Sequence, residues 1–231
     1  MDGTPPVRTS GPDVLKFLGR STAALLCVLM LASCDSGEPE AKSDHPCDVA
    51  PASEEEALLQ EILRADGFKP FIMSSTKRAV EHLERNLRAI GPQERTLPQY
   101  TCAYRPAPET GVERATFGFG WVPRTSGDVK PSLPKGVPYG ANGAFGETND
   151  FITKLYVECA MPGELDEPSK SAWFYADASY TINIGKPELD QAARDRQTTL
   201  TYLMARRVTE ALGCENKPLE RPPVVKPLPS P

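Results

Sequence analysis

The sequence predicts an α+β fold: a single domain in which helices pack on an antiparallel sheet of four or more strands, stapled by disulfides. Three observations predict it. Apolar residues recur at helical spacing near both ends of the domain and alternate with polar or small residues through its middle. Four cysteines are spaced along that same stretch and are available to pair. The order is two helices, a run of strands, then a helix, which suits helices laid on an antiparallel sheet and not alternating β and α units. No glycine-rich phosphate loop argues otherwise.

Each element follows from local chemistry. Ser53-Glu54-Glu55-Glu56 reads as a capping box, with the serine capping a helix and Glu56 reaching back. Ala57, Leu58, Leu59, Ile62 and Leu63 give that helix its apolar face, and Gly67 is expected to stop it. A second helix is expected from about Thr76 to Ile90, with Val80, Leu83, Leu87 and Ile90 on one stripe and His82 among the charges beside it. Gln99 to Arg105 is a short strand carrying Cys102. In Val112 to Val122 the residues Ala115, Phe117, Phe119 and Trp121 alternate with small or polar ones, which is strand periodicity. Residues 123–149 are rich in glycine and proline and read as a long, partly ordered excursion. Alternation returns in Phe151 to Ala160 and again in Trp173 to Gly185, where Phe174, Ala176, Ala178, Tyr180, Ile182 and Ile184 share one face. The last helix is expected to begin near Pro187, as proline suits a first turn, and to end at Gly213. Six prolines between Pro218 and Pro231 imply an extended tail.

The amino terminus directs the chain elsewhere than the cytoplasm. Arg8, Lys16 and Arg20 precede the uncharged run Ala23 to Ala32, which is too short to span a bilayer permanently and has the layout of a secretory signal peptide. The residues that end it, Leu31-Ala32-Ser33-Cys34, resemble the lipobox of bacterial lipoproteins. That resemblance implies a diacylglyceryl group of palmitate type on the Cys34 sulfur, cleavage before Cys34, and anchoring at the outer face of the plasma membrane. Two acyl chains are what stable attachment requires, at about 0.8 kcal/mol per buried CH₂. The organisation read from the sequence is therefore a signal peptide over 1–33, a polar tether over 34–46 that includes His45, the domain over 47–216, and the proline-rich tail over 217–231.

The chain of 231 residues carries a formal charge of −5, and loss of Arg8, Lys16 and Arg20 with Asp2 and Asp13 moves it to −6. A mildly acidic chain without basic clusters is a poor partner for nucleic acid or for an anionic lipid surface, so the expected membrane contact is the lipid itself. With Cys34 lipidated and Cys27 removed, Cys47, Cys102, Cys159 and Cys214 remain, and four cysteines allow three pairings. Pairing sequence neighbours, Cys47 with Cys102 and Cys159 with Cys214, closes two loops of equal span and is favoured. A metal site is the weaker use of these residues, since no C-x-x-C is present and only His45 lies near a cysteine.

Beyond the lipobox, the strand Leu155-Tyr156-Val157-Glu158-Cys159 and the ending Arg206 to Leu219, RRVTEALGCENKPL, resemble small cell-envelope lipoproteins of actinobacteria. The resemblance implies an exported, lipid-anchored, disulfide-bonded domain, and it carries over no catalytic residue and no cofactor.

Two candidate chemistries stand out. Ser74-Ser75-Thr76-Lys77 fits the S-x-x-K nucleophile motif of penicillin-binding proteins and falls at a helix start, where a lysine one turn on helps remove the serine proton. The partner motifs K-T-G and S-D-N are absent, and Ser132-Leu133-Pro134-Lys135 matches the pattern as well, so Ser74 and Ser75 are read first as helix caps. The other candidate is a ligand face on the strand after Ser171, where Trp173, Tyr175 and Asp177 project together opposite the core residues. Two aromatics and a carboxylate suit a cell-wall fragment or an envelope protein. Burial of that face beneath a helix or the 123–149 segment is the competing arrangement.

Overall fold

Ser53 caps the first helix as its position dictates. In the computed structural model, which describes residues 45–92, 94–108, 113–126 and 129–229, α1 spans Glu54–Leu63. The Ser53 hydroxyl accepts from the Glu56 amide, and Glu56 in turn accepts from the amide of Ala52, one residue before the cap. The helix stops at Arg64, whose φ of 53° places it in the left-handed region, three residues before Gly67 was expected to end it. β1 (Phe68–Ile72) follows, a strand that the sequence reading did not include. α2 (Thr76–Arg88) is capped by Ser75 and buries Ala79, Leu83 and Leu87. Val80 and Ile90 are only partly buried at the margin of this stripe.

The strands β2 (Gln99–Pro106) and β3 (Ala115–Pro123) come next. The glycine- and proline-rich stretch then contains a hairpin, β4 (Val137–Ala141) and β5 (Ala144–Thr148). Its turn is Asn142-Gly143, and both residues have positive φ, 46° and 90°, as a two-residue hairpin turn requires. β6 (Ile152–Val157), a one-turn helix α3 (Asp166–Lys170) and β7 (Ala172–Tyr180) complete the central strands. Ile184 lies past the end of β7 and is exposed, which corrects its assignment to the inner face. The long helix α4 covers Gln191–Leu212. Its start is set by Asp190, whose carboxylate accepts from the Ala193 amide, and not by Pro187. Gly213, with φ 73°, ends it as expected.

All eight strands form one antiparallel sheet in the order β1-β2-β3-β7-β6-β5-β4-β8, where β8 is Val225–Pro227. Helices α1, α2 and α4 lie on one face. The inward residues of β3 and β7, Phe117, Phe119, Trp121, Phe174 and Tyr180, are fully buried there against Leu59, Leu83, Leu200 and Leu203. Cys47 is bonded to Cys102 and Cys159 to Cys214, so the first disulfide ties the amino-terminal segment to β2 and the second ties the end of α4 to the residues after β6. Sequence neighbours pair, as favoured.

Both ends of the domain differ from their sequence reading. His45, assigned to the tether and to solvent, is half-buried: its Nε2–H donates to the Ser74 carbonyl at 2.5 Å and its Nδ1 accepts from the Cys47 amide at 3.0 Å. The proline-rich tail is extended but packed against the domain. Leu219 is buried, Tyr202 donates to the Arg221 carbonyl at 3.0 Å, and Val225–Pro227 pairs with β4.

Proline blunts both edges of the sheet. The Met73 amide donates to Thr101 and the Ala107 amide to Gly67, so alternate residues of β1 face β2 and Pro70 faces outward, where it has no N–H to offer. The Leu228 amide donates to Pro138, which leaves Pro227 outward on β8 in the same way. An added strand meets a missing donor on either side.

Candidate functional site

The face of the sheet opposite the helices holds the polar residues with chemistry to offer. Strand register places them in rows. Tyr100, Gly118, Asp177, Lys154 and Glu147 stand side by side across β2, β3, β7, β6 and β5. Ala103, Thr116, Ser179 and Ile152 form the row on one side. Gly120, Tyr175, Tyr156 and Phe145 form the row on the other.

Trp173, Tyr175 and Asp177 therefore share the helix-free face, but they divide in role. Tyr175 is buried; its ring lies over Gly120, where an added Cβ would sit 2.8 Å from Cε1, and its hydroxyl donates to the Thr96 carbonyl at 2.7 Å. Burial pushes the Tyr175 phenol above 10, and the nearby Arg95 charge acts against that. Trp173 has the Arg124 guanidinium 4.2 Å over its ring and meets the edge of Phe145 at 5.1 Å. Both aromatics pack with Val122, Tyr156 and Val129, beneath residues of the 123–149 segment.

That segment is pinned by Glu147. The buried carboxylate accepts from the Ser132 amide at 2.8 Å, from the Leu133 amide at 2.9 Å and from the Ser132 hydroxyl at 3.3 Å. Lys154 stands 4.0 Å from the same carboxylate. A small cleft of about 120 Å³ is left between Val129, Pro131, Phe145 and Tyr156.

Asp177 is different. It is half-buried and accepts no hydrogen bond among the described residues. Its row neighbour Tyr100 lies over Gly118, with a ring carbon 2.9 Å from where a Cβ would be, and remains 41% exposed. The hydroxyls of Tyr100 and Ser179 and the Arg95 guanidinium likewise make no hydrogen bond among the described residues. Thr116, only 8% exposed, has a buried hydroxyl with no partner. An unpaired buried polar atom of this kind costs about 1–3 kcal/mol. Register supplied Tyr100, Lys154 and Thr116 to this group; alternation along single strands did not.

Burial pushes the Asp177 carboxyl above the usual carboxylate range, with Lys154 and then Arg95 opposing the shift. A raised folded-state value means that the ionised form weakens the fold at neutral pH, and that this cost is relieved as pH falls through the raised value toward the ordinary 3.8. Asp177→Asn is accordingly expected to melt at a higher temperature than the natural protein at pH 7. The difference should close as the pH falls below the ordinary carboxylate range; an advantage of constant size across the titration would contradict this assignment.

The Ser74–Lys77 pair has separate engagements. The Ser74 hydroxyl donates to the Ser75 carbonyl at 3.3 Å, and Lys77, with an 87% exposed side chain, pairs with Glu81 at 3.9 Å. A cavity of about 450 Å³ lies against the end of α4 and is lined by Arg206, Thr209, Cys214 and Leu219 among others. Its two cations are taken up locally, Arg206 with Glu55 at 3.7 Å and Lys217 with Glu220 at 3.8 Å. Among the described residues no group of three His, Cys, Asp or Glu is placed to hold a metal, and no helix is long and apolar enough to cross a membrane.

No known family, curated protein or solved structure matches the chain.

Proposed function

We propose that this chain is exported, held at the outer face of the plasma membrane by a lipid on Cys34, and acts there as a non-catalytic binding module through the helix-free face of its sheet. The observation that carries the binding role is the set of unspent polar groups around Asp177. A fold of this size gains nothing from an ionised, half-buried carboxylate without a hydrogen bond, and groups that weaken a fold concentrate where it meets a ligand. Two disulfides suit an oxidising space outside the cytoplasm. The lipobox residues ending in Cys34 supply the anchor, and the ten residues 35–44 that follow reach at most about 35 Å, which keeps the domain near the membrane. The alternative, an acyl-enzyme of penicillin-binding type using Ser74 and Lys77, draws on the motif alone, since Lys77 is turned toward Glu81.

Photo-cross-linking in intact cells tests the binding face. A photoreactive amino acid placed at position 100 is expected to yield a defined adduct, and one placed at position 77, on the exposed side of α2, is not. Adducts from position 77 alone, or from both positions equally, would remove the outer face from the proposal.

A further inference from the structure

We infer that the row formed by Tyr100, Gly118, Asp177 and Lys154, with Thr116 and Ser179 beside it, is a saccharide-binding site; this rests on the reading of the outer face as the binding surface. A sugar ring presents an apolar C–H face and a rim of hydroxyls, each able to donate and to accept. The row offers the complement of both. Tyr100 rests on Gly118, so that side of its ring is spent, and with 41% of the residue exposed the ring is available as a flat platform. A side chain at position 118 would lift that ring, which gives the glycine a reason to be there.

One strand beyond Gly118, the Asp177 carboxylate is an acceptor without a donor, and Ser179 is its neighbour two residues along β7. Lys154, opposite Asp177 on β6, and Arg95, whose charge is felt at both Asp177 and Tyr100, supply donors. Thr116 contributes the second, independent observation. It stands opposite Ser179 on the same face, one register step from the Gly118–Asp177 pair, more than nine-tenths buried and with its hydroxyl unpartnered. That oxygen is sealed beneath the row and out of a ligand's reach, so Thr116 marks a cost carried by this face and not a contact with the ligand.

Other ligand classes fit less well. An anion meets the Asp177 carboxylate at the centre of the row. A metal ion lacks a ligand set among the described residues. An extended peptide adding to the adjacent edge meets Pro70, which has no donor to give it. The charges of Asp177 and Glu147 are matched by those of Lys154 and Arg95, and a neutral, hydroxyl-rich molecule is what such a balanced surface accepts.

The test is titration of the full lipidated chain in detergent micelles with chitotetraose, cellotetraose and, as a control, tetraglycine, followed by amide NMR. One of the two saccharides is expected to move the Gly118 and Asp177 resonances in a saturable manner. Asp177→Ala and Tyr100→Ala should each weaken that binding at least tenfold with the rest of the spectrum unchanged; Tyr100 is half in solvent, so its variant is expected to fold. Thr116→Val should raise the melting temperature and leave binding within twofold, whereas Lys77→Ala should alter neither. If tetraglycine moves these resonances and neither saccharide does at 10 mM, the saccharide assignment falls and the binding face stands. If no probe moves them and position 100 also captures nothing in cells, both fall. Saccharide binding that survives Asp177→Ala and Tyr100→Ala at full strength would place the site elsewhere.

Discussion

Replacing Cys159 and Cys214 together with serine is expected to destabilise the domain by about 4 kcal/mol, the chain-entropy value for a crosslink closing a loop of this length. The bond joins residues 55 apart, and it does more than close a loop. Around it the Glu215 amide donates to the Ala160 carbonyl at 2.8 Å, and the Asn216 side chain both accepts from the Ala160 amide and donates to the Glu158 carbonyl. These contacts aim the chain leaving α4 back across the domain toward β8. Without the disulfide they must hold the tail alone, so β8 should show accelerated hydrogen exchange before the rest of the sheet. In a domain of this size the loss corresponds to a drop of about 10 °C in the melting temperature. Denaturation of the double variant reads it directly, and a loss under about 1 kcal/mol would mean that packing alone positions this end of the chain.

Trp121→Ala is expected to cost about 3–5 kcal/mol, the range for deleting a large buried aromatic. Trp121 is fully buried at the centre of the sheet, its ring meets Phe174 edge-on at 5.4 Å, and its indole N–H donates to the Leu83 carbonyl at 2.9 Å. That bond fixes α2 against β3. Leu83 lies mid-helix, so its carbonyl keeps a helical partner when the indole is gone. Trp121→Phe should therefore cost much less, about 1 kcal/mol for the bond itself. Equal losses in the two variants, measured by denaturant unfolding, would shift the weight from packing to the hydrogen bond.

How much of this was legible in the sequence depends on whether the signal was local. The Ser53 capping box, the Leu83–Leu87 stripe, the alternation in β3 and β7 and the disulfide pairing are all properties of short stretches or of simple counting, and the structure has them. The β4–β5 hairpin was lost in the glycine and proline content of its segment, although Asn142-Gly143 is a strong hairpin turn read by itself. Strands β1 and β8 lie at the two edges, where proline is tolerated because one side makes no bonds; residues 68–72 carry no strand expectation from the sequence, and β8 falls in the stretch expected to be an extended tail. Asp190 outcompeted Pro187 as the start of α4 because a side-chain acceptor satisfies a free amide and a proline only omits one. The candidate site divides in the same way. Alternation along one strand placed Trp173, Tyr175 and Asp177 on a common face. Only the pairing of five strands brings Tyr100, Lys154 and Thr116 beside Asp177, and pairing is a tertiary fact.

The proposal that the domain is displayed from a lipidated cysteine is tested most directly by intact mass spectrometry of the processed chain. The predicted spectrum is that of a polypeptide beginning at Cys34 and heavier by a diacylglyceryl group, recovered with the membrane fraction. An unmodified chain beginning at any other residue, recovered from the medium, would contradict it.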